Sequence, residues 1–248
     1  MLKDLIAGMG FARRGFGLIT LPGIRRFVAI PLAINILLFA LGIWYLAGEF
    51  EAFMDRMLPD WLDWARWILW PLFALTLSIA VFYTFTVVAN LISAPFNALL
   101  AEKLELKLTG QPLDGEFNLG ALMKTVKDAI VSELRKTGYL IVWLIPLLIL
   151  FLIPGLNLLA PFAWAAFGAW MLAIEYADYP MGNHGMLFSD ERRLLAQERG
   201  LAFGFGGTVL LMTMIPVLNF LAMPVGVAGA TAMWVDRLQA TQARLEKP

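Results

Sequence analysis

Cysteine is absent from the 248 residues, and histidine occurs once, at His184. The first absence removes disulfides, thiolate metal sites and cysteine nucleophiles together. The second leaves too few imidazoles for a His-rich zinc or di-iron centre, so no metal and no cofactor are expected. Net charge is absent too, with 19 Lys and Arg against 19 Asp and Glu. Such a balance offers no surplus of cations for phosphate neutralisation and excludes nucleic acid as a partner. No G-x-x-x-x-G-K-[ST] phosphate loop occurs. His184 has Asp178 and Asn183 nearby in sequence but no evident nucleophile, and an enzyme is not expected. Asp4, Arg13 and Arg14 interrupt any apolar leader, so membrane insertion is expected to be directed by the internal helices.

Charge is missing locally as well. None occurs between Arg26 and Glu49, Arg66 and Glu102, Lys136 and Glu175, or Arg199 and Asp236. A bilayer core of about 30 Å is crossed by about 20 apolar residues in helix, and every one of these runs reaches that length. At 60% hydrophobic the chain also exceeds the apolar half or so of a soluble domain. It is an integral membrane protein.

The expected fold is all-α, with two long transmembrane helices, two proline-broken hairpins and amphipathic surface helices. Residues 3–20 read as an interfacial helix, with Leu5, Met9, Ala12, Phe16 and Ile19 on one face and four glycines weakening it. Residues 24–57 and 61–108 form the long helices. The second projects beyond the bilayer, because Leu100, Leu104 and Leu108 extend one apolar face to a stop at Gly110 and Pro112. Trp61, Trp64, Trp67 and Trp70 mark an interfacial belt. Residues 118–136 read as an amphipathic helix capped by Asn118, with Leu119, Leu122, Met123, Val126, Ile130 and Leu134 as its stripe and Lys124, Lys127, Asp128 and Arg135 opposite. A second amphipathic helix covers 189–199, with Asp190 and Glu191 at its start.

Hairpins are assigned to 137–174 and 200–236. Ile153-Pro154-Gly155-Leu156-Asn157 is echoed 62 positions later by Ile215-Pro216-Val217-Leu218-Asn219, which reads as an internal duplication. Legs of about 17 residues are marginal for crossing, so the hairpins either span or enter partway, as broken transporter helices do. Four ordinary short spans are the alternative. Only Arg56 and Arg66 lie between the first two runs. The positive-inside rule then puts both termini, 102–136 and 175–199 in the cytoplasm.

The sharpest local motif is Leu21-Pro22-Gly23-Ile24-Arg25-Arg26. A tight turn before a helix exposes backbone N–H groups to an anion, and two guanidinium groups add planar donor forks. An arginine pair is also an ordinary membrane anchor, and both readings stand on these residues alone. Asn35, Asn90, Ser93, Asn97, Asn157, Asn219 and Thr231 are neutral candidates for a path or for helix–helix hydrogen bonds. Glu102 and Glu105 are candidates for a gate or for plain solvated charges.

The chain resembles the bacterial CysZ sulfate permeases. The likeness is carried by Leu21–Val28 with Pro31, Leu32 and Asn35, by Ala94-Pro-Phe-Asn97 with Leu99-Leu-Ala-Glu102, and by Trp170–Ile174 leading to Tyr176–Pro180 with Asn183-His184. Met214-Ile-Pro216, Leu218-Asn219 and Gly229–Asp236 complete it. The resemblance implies a multi-pass protein of the inner membrane that takes up sulfate for cysteine synthesis and assembles as a homo-oligomer. It implies sulfate binding at Gly23, Ile24, Arg25 and Arg26; the pore or gate candidates Asn35, Asn97, Glu102 and Glu105 rest on the residues alone. The competing expectation is a membrane scaffold or partner subunit of a sulfate uptake system, without flux of its own.

Overall fold

A computed structural model describes residues 1–112 and 119–246, with side chains described outside 60, 81–92, 94 and 119–130. The described residues are helical, without a strand. In chain order they form α1 (Leu2–Ile19), α2 (Arg25–Met57), α3 (Arg66–Thr109), α4 (Leu119–Leu152), α5 (Ala160–Gly182), α6 (Phe188–Gln197), α7 (Arg199–Thr213), α8 (Pro216–Met233) and α9 (Gln239–Leu245). The expected all-α membrane class is the observed one. Among the described residues, spans long and apolar enough to cross a bilayer are Arg25–Met57, Val131–Leu152, Leu156–Gly182 and Pro216–Leu245.

Two units make up the chain: Met1–Arg25 with Asn97–Pro248, and Arg26–Phe96. In the first, α1, α5, α7 and α8 build the core around Phe205, Leu201, Val225, Val227 and Trp234. Glycine makes this possible. A Cβ on Gly8 would lie 2.1 Å from the Leu201 carbonyl oxygen, and one on Gly204 would lie 2.0 Å from that of Leu5. The backbones of α1 and α7 therefore touch, and two of the glycines that weaken α1 as an isolated helix are its contact points. The buried face of α1 is Gly8, Ala12, Gly15, Leu18 and Ile19, while Met9 is half exposed. The expected apolar face thus turns by about one residue, and α1 packs on α7 and α8.

In the second unit only Pro31, Asn35 and Met54 of α2 are buried, and Ile36, Leu37, Leu41 and Trp44 are exposed. This suits a helix whose solvent is lipid. Phe50 stacks on Phe73 at 3.8 Å and meets Trp70 edge-on. Arg66 binds Asp55 and Asp63. The segment expected to open a helix at 61 is instead a 3-10 turn, Asp60–Ala65, after an extended Pro59.

One other expectation changes. Residues 118–136 are not a separate helix: α4 runs unbroken from Leu119 to Leu152, since nothing between Arg135 and Tyr139 stops it. The expected cap Asn118 lies outside the described residues, as do the stripe side chains Leu119 to Ile130. In the second hairpin α7 has 15 residues. At 1.5 Å per residue it reaches roughly 22 Å, short of a core of about 30 Å.

Candidate functional site

Gly23 adopts φ +85°, the left-handed region that favours glycine. The turn it forms is closed by Leu21, whose carbonyl accepts from the N–H of Ile24 at 3.0 Å and of Arg25 at 3.3 Å. Those two donors are consumed inside the turn, whereas the N–H groups of Arg26 and Phe27 send no hydrogen bond back to Pro22 or Gly23, as the first turn of a helix leaves them. The Gly23 N–H makes no backbone hydrogen bond among the described residues. Ile24 is buried at 3% exposure and anchors the turn, while Gly23, Arg25 and Arg26 are exposed. The Arg26 guanidinium lies 4.9 Å over the Phe27 ring. Neither arginine has a carboxylate partner among the described residues. What remains for an anion is these unspent amides and two guanidinium groups on an exposed corner.

A third cation reaches the same turn. Lys107, in the last turn of α3, donates from Nζ to the Pro22 carbonyl at 2.9 Å. Sequence reasoning missed it because 85 positions separate the pair. The end of α3 that carries Lys107 is well defined: Gly110 at φ +73° sends its N–H to the Leu106 carbonyl and terminates the helix.

Two residues before Lys107, Glu105 is 3% exposed. Its Oε1 is bound by His184 Nε2 at 2.8 Å, by Gln239 Nε2 at 2.9 Å and by Trp234 Nε1 at 3.3 Å. Oε2 has no partner. Glu105 is therefore no solvated surface charge; it ties α3 to the end of α5 and to the turn after α8. Glu102 is partly exposed and pairs with Lys103 at 2.6 Å. Asn97 is buried and donates to the Tyr179 hydroxyl at 3.5 Å, and neighbouring Asn183 donates to the Ala98 carbonyl at 3.0 Å. Asn35 is buried with an unpartnered Oδ1. Thr231 is spent on the Val227 carbonyl at 2.8 Å. Asn90 has no described side chain.

A second polar centre lies apart from the turn. Lys136, 8% exposed, binds Glu133 at 3.0 Å, Glu175 at 2.9 Å and Asp178 at 3.2 Å. Asp178 thus serves Lys136 rather than His184. Beside it Glu191 of α6 is 1% exposed, with Oε1 unpartnered. Burial first, and then the facing Asp178 carboxylate, pushes its pKa up to about 9. The centre joins α4, α5 and α6.

These features define an α-helical membrane protein with a cationic, solvent-facing corner at the start of a long helix. The family model described as Sulfate transporter CysZ/Etoposide-induced protein 2.4 matches residues 11–224, which include that corner. The chain is 43% identical over 239 residues to the "Sulfate transporter CysZ" of Pseudomonas fluorescens (strain Pf0-1), covering 95% of each. It is 43% identical over 241 residues to that of Salmonella typhimurium (strain LT2), covering 96% of this chain and 95% of the relative. With that of Pectobacterium atrosepticum it shares 42% over 245 residues, 97% of this chain and 89% of the relative. The chain belongs to the Sulfate transporter CysZ/Etoposide-induced protein 2.4 family.

Proposed function

We propose that the chain transports sulfate across the bacterial inner membrane, binding the anion at the Gly23–Arg26 corner. The observation that carries this reading is the pair Arg25 and Arg26, exposed and without carboxylate partners among the described residues, on a turn whose geometry needs Gly23. The names of the relatives supply the anion. Sulfate is a strongly hydrated dianion, and its water shell must be replaced before it enters a low-dielectric interior. Two guanidinium forks can do that for a tetrahedral oxyanion. Lys107 adds a cation at the neighbouring carbonyl.

Glu105 works at one remove. Its three hydrogen bonds fix the register of α3 two residues before Lys107, which makes it a positioning residue of the corner. Asn35, Asn97 and Glu102 are retained as lining or gate residues of the path. The reaction is transfer without chemical change, so no enzymatic role is assigned. The Lys and Arg residues within 102–136 and 175–199 favour the cytoplasmic side for the termini and the corner by the positive-inside rule, which counts cations rather than net charge. The exposed apolar side chains of α2 suit contact with lipid or with further copies in a homo-oligomer.

The test is labelled sulfate entry into liposomes containing the purified protein. Replacing Arg25 and Arg26 by Ala removes charge-assisted bonds, each worth about tenfold in affinity. Lys107→Met should give a smaller loss. Unchanged flux in the arginine double variant returns both residues to the role of anchor. Vesicles with the unaltered protein that admit no sulfate favour the scaffold instead.

A further inference from the structure

A groove of about 740 Å³ opens in the first unit between α4, α5, α6 and α7. Its two ends differ in chemistry. At the mouth stand Arg192, Arg193 and Arg199, joined by Ser189. The positions 189, 192, 193, 196 and 199 recur at three- and four-residue spacing, so one face running from α6 into α7 supplies this rim. All three arginines are exposed. Among the described residues no carboxylate pairs with any of them; Arg192 lies 5.1 Å over the Tyr139 ring, and Arg199 Nε donates to the Ala196 carbonyl at 3.2 Å. Of the nearby acids, Glu133 and Glu175 bind Lys136 and Glu198 binds Thr241 and Arg237; Asp190 is exposed on α6 and is not among the residues lining the groove.

Farther in, the walls lose polarity. Tyr139 and Trp170 share a hydrogen bond of 3.1 Å near the mouth. Beyond them Trp143 and Phe167 stack at 6.1 Å, and Leu147 and Ala163 close the far end. From Tyr139 to Leu147 the groove follows α4 for roughly 12 Å at 1.5 Å per residue. The helices on both sides are spans, Val131–Leu152 and Leu156–Gly182. The groove is therefore an apolar slot in the hydrocarbon with a cationic rim at the water boundary.

We propose that this groove binds one anionic phospholipid, its phosphate on Arg192, Arg193 and Arg199 and one acyl chain laid along Trp143 and Phe167 toward Leu147. Charge complementarity selects the occupant. A free oxyanion satisfies the rim and gains nothing from the slot; a zwitterionic lipid fills the slot and brings its own cation to the rim. Only a lipid with net negative charge suits both. The site is separate from the Gly23–Arg26 corner and uses none of its residues.

The experiment uses the full-length protein, delipidated in neutral detergent, with retained lipid counted by native mass spectrometry. Three arginines at an anionic headgroup are together worth about a hundredfold in affinity. Dioleoyl phosphatidylglycerol should therefore be retained far above dioleoyl phosphatidylcholine. Arg192→Gln, Arg193→Gln and Arg199→Gln combined should erase that preference, and the matching Lys variant should keep most of it. Ala166→Trp, which fills the slot and leaves the rim intact, should reduce retention of phosphatidylglycerol. Should the Gln variant fail to fold, the wild-type lipid ratio and the Ala166 variant decide. Equal retention of the two lipids overturns the proposal. So does displacement of phosphatidylglycerol by inorganic phosphate or sulfate at equal concentration, or by dimerisation that Ala166→Trp abolishes.

Discussion

The two hairpins share a sequence motif and differ in almost everything the motif was expected to decide. In the first, α4 ends at Leu152, and Gly155 at φ +86° leads into a 3-10 turn over Leu156–Leu159 before α5. Pro154 thus lies in the connection. In the second, Pro216 is the first residue of α8, where its missing N–H costs nothing. Asn157 sits in the turn and Asn219 in the helix. The residue after proline makes the difference: Gly155 permits a left-handed turn, whereas Val217 does not. Surroundings differ as well. In the most apolar window of each span, 61% of Pro216–Leu245 is buried, against 11% of Val131–Leu152. The first hairpin gives α4 largely to lipid, and the second forms the protein core together with α1 and α5.

Small residues account for that division, and replacing them should break it most severely. A Cβ on Gly206 of α7 would lie 1.8 Å from the Ala169 carbonyl oxygen of α5, a contact that only backbone movement relieves. Gly206→Val should cost about 3 kcal/mol or more, seen as loss of monodisperse protein on gel filtration. Gly168 of α5, in the first hairpin, offers its Cβ only the Leu210 side chain at 3.7 Å. Gly168→Ala should change the melting temperature little. Equal damage from both would remove close backbone approach as the reason the second hairpin is buried.

The difference between the two turns can be sharpened separately. A Cβ on Gly155 meets nothing within 4 Å, so Gly155→Ala isolates backbone conformation. Holding alanine in the left-handed region costs about 1–2 kcal/mol. At the equivalent position Val217→Ala, at the exposed start of α8, should cost clearly less. Thermal unfolding in detergent reads both. Equal shifts would mean that the two connections do not depend on Gly155.

Much of this plan was legible in the residues. Charge-free runs located the spans, Gly110 and Pro112 marked the end of α3, and the repeated Ile-Pro-x-Leu-Asn found both breaks. The Gly23 turn and its arginines were visible as a motif because all its parts are adjacent in sequence. Contacts between distant segments were not visible. Lys107 meets Pro22 across 85 positions, Lys136 meets Glu175 and Asp178 across 39 and 42, and Glu105 meets Gln239 across 134. Gly8 and Gly15 read as defects of α1 because propensity treats a helix alone, and the carbonyls they admit belong to α7 and α8. The continuous α4 escaped for a related reason: charges at Glu133 and Lys136 look like a helix boundary until Glu175 and Asp178 arrive to neutralise the lysine.

The polar centre that joins the first hairpin to α6 gives the effect that depends on pH. Glu191 faces Asp178 of α5 and Lys136 of α4, with Asp190 next to it on α6; burial first and then the two aspartates raise its pKa, and the lysine opposes them. Below its unfolded pKa of about 4.3 both states hold the proton, and the carboxyl contributes its full stability. Between there and about 9 the folded protein keeps a proton that the unfolded chain has released. Stability from this group therefore falls as pH rises through that window. Gln imitates the protonated carboxyl and cannot lose it. Glu191→Gln should come closest to the wild type near pH 4 to 5 and melt higher at pH 8 to 9, the difference growing with pH through that window. Because α6 connects the hairpins, the gain should show in the global transition. Parallel melting curves across pH would mean that Glu191 is ionised in the fold, and that its unpartnered oxygen is met by a donor other than its own proton.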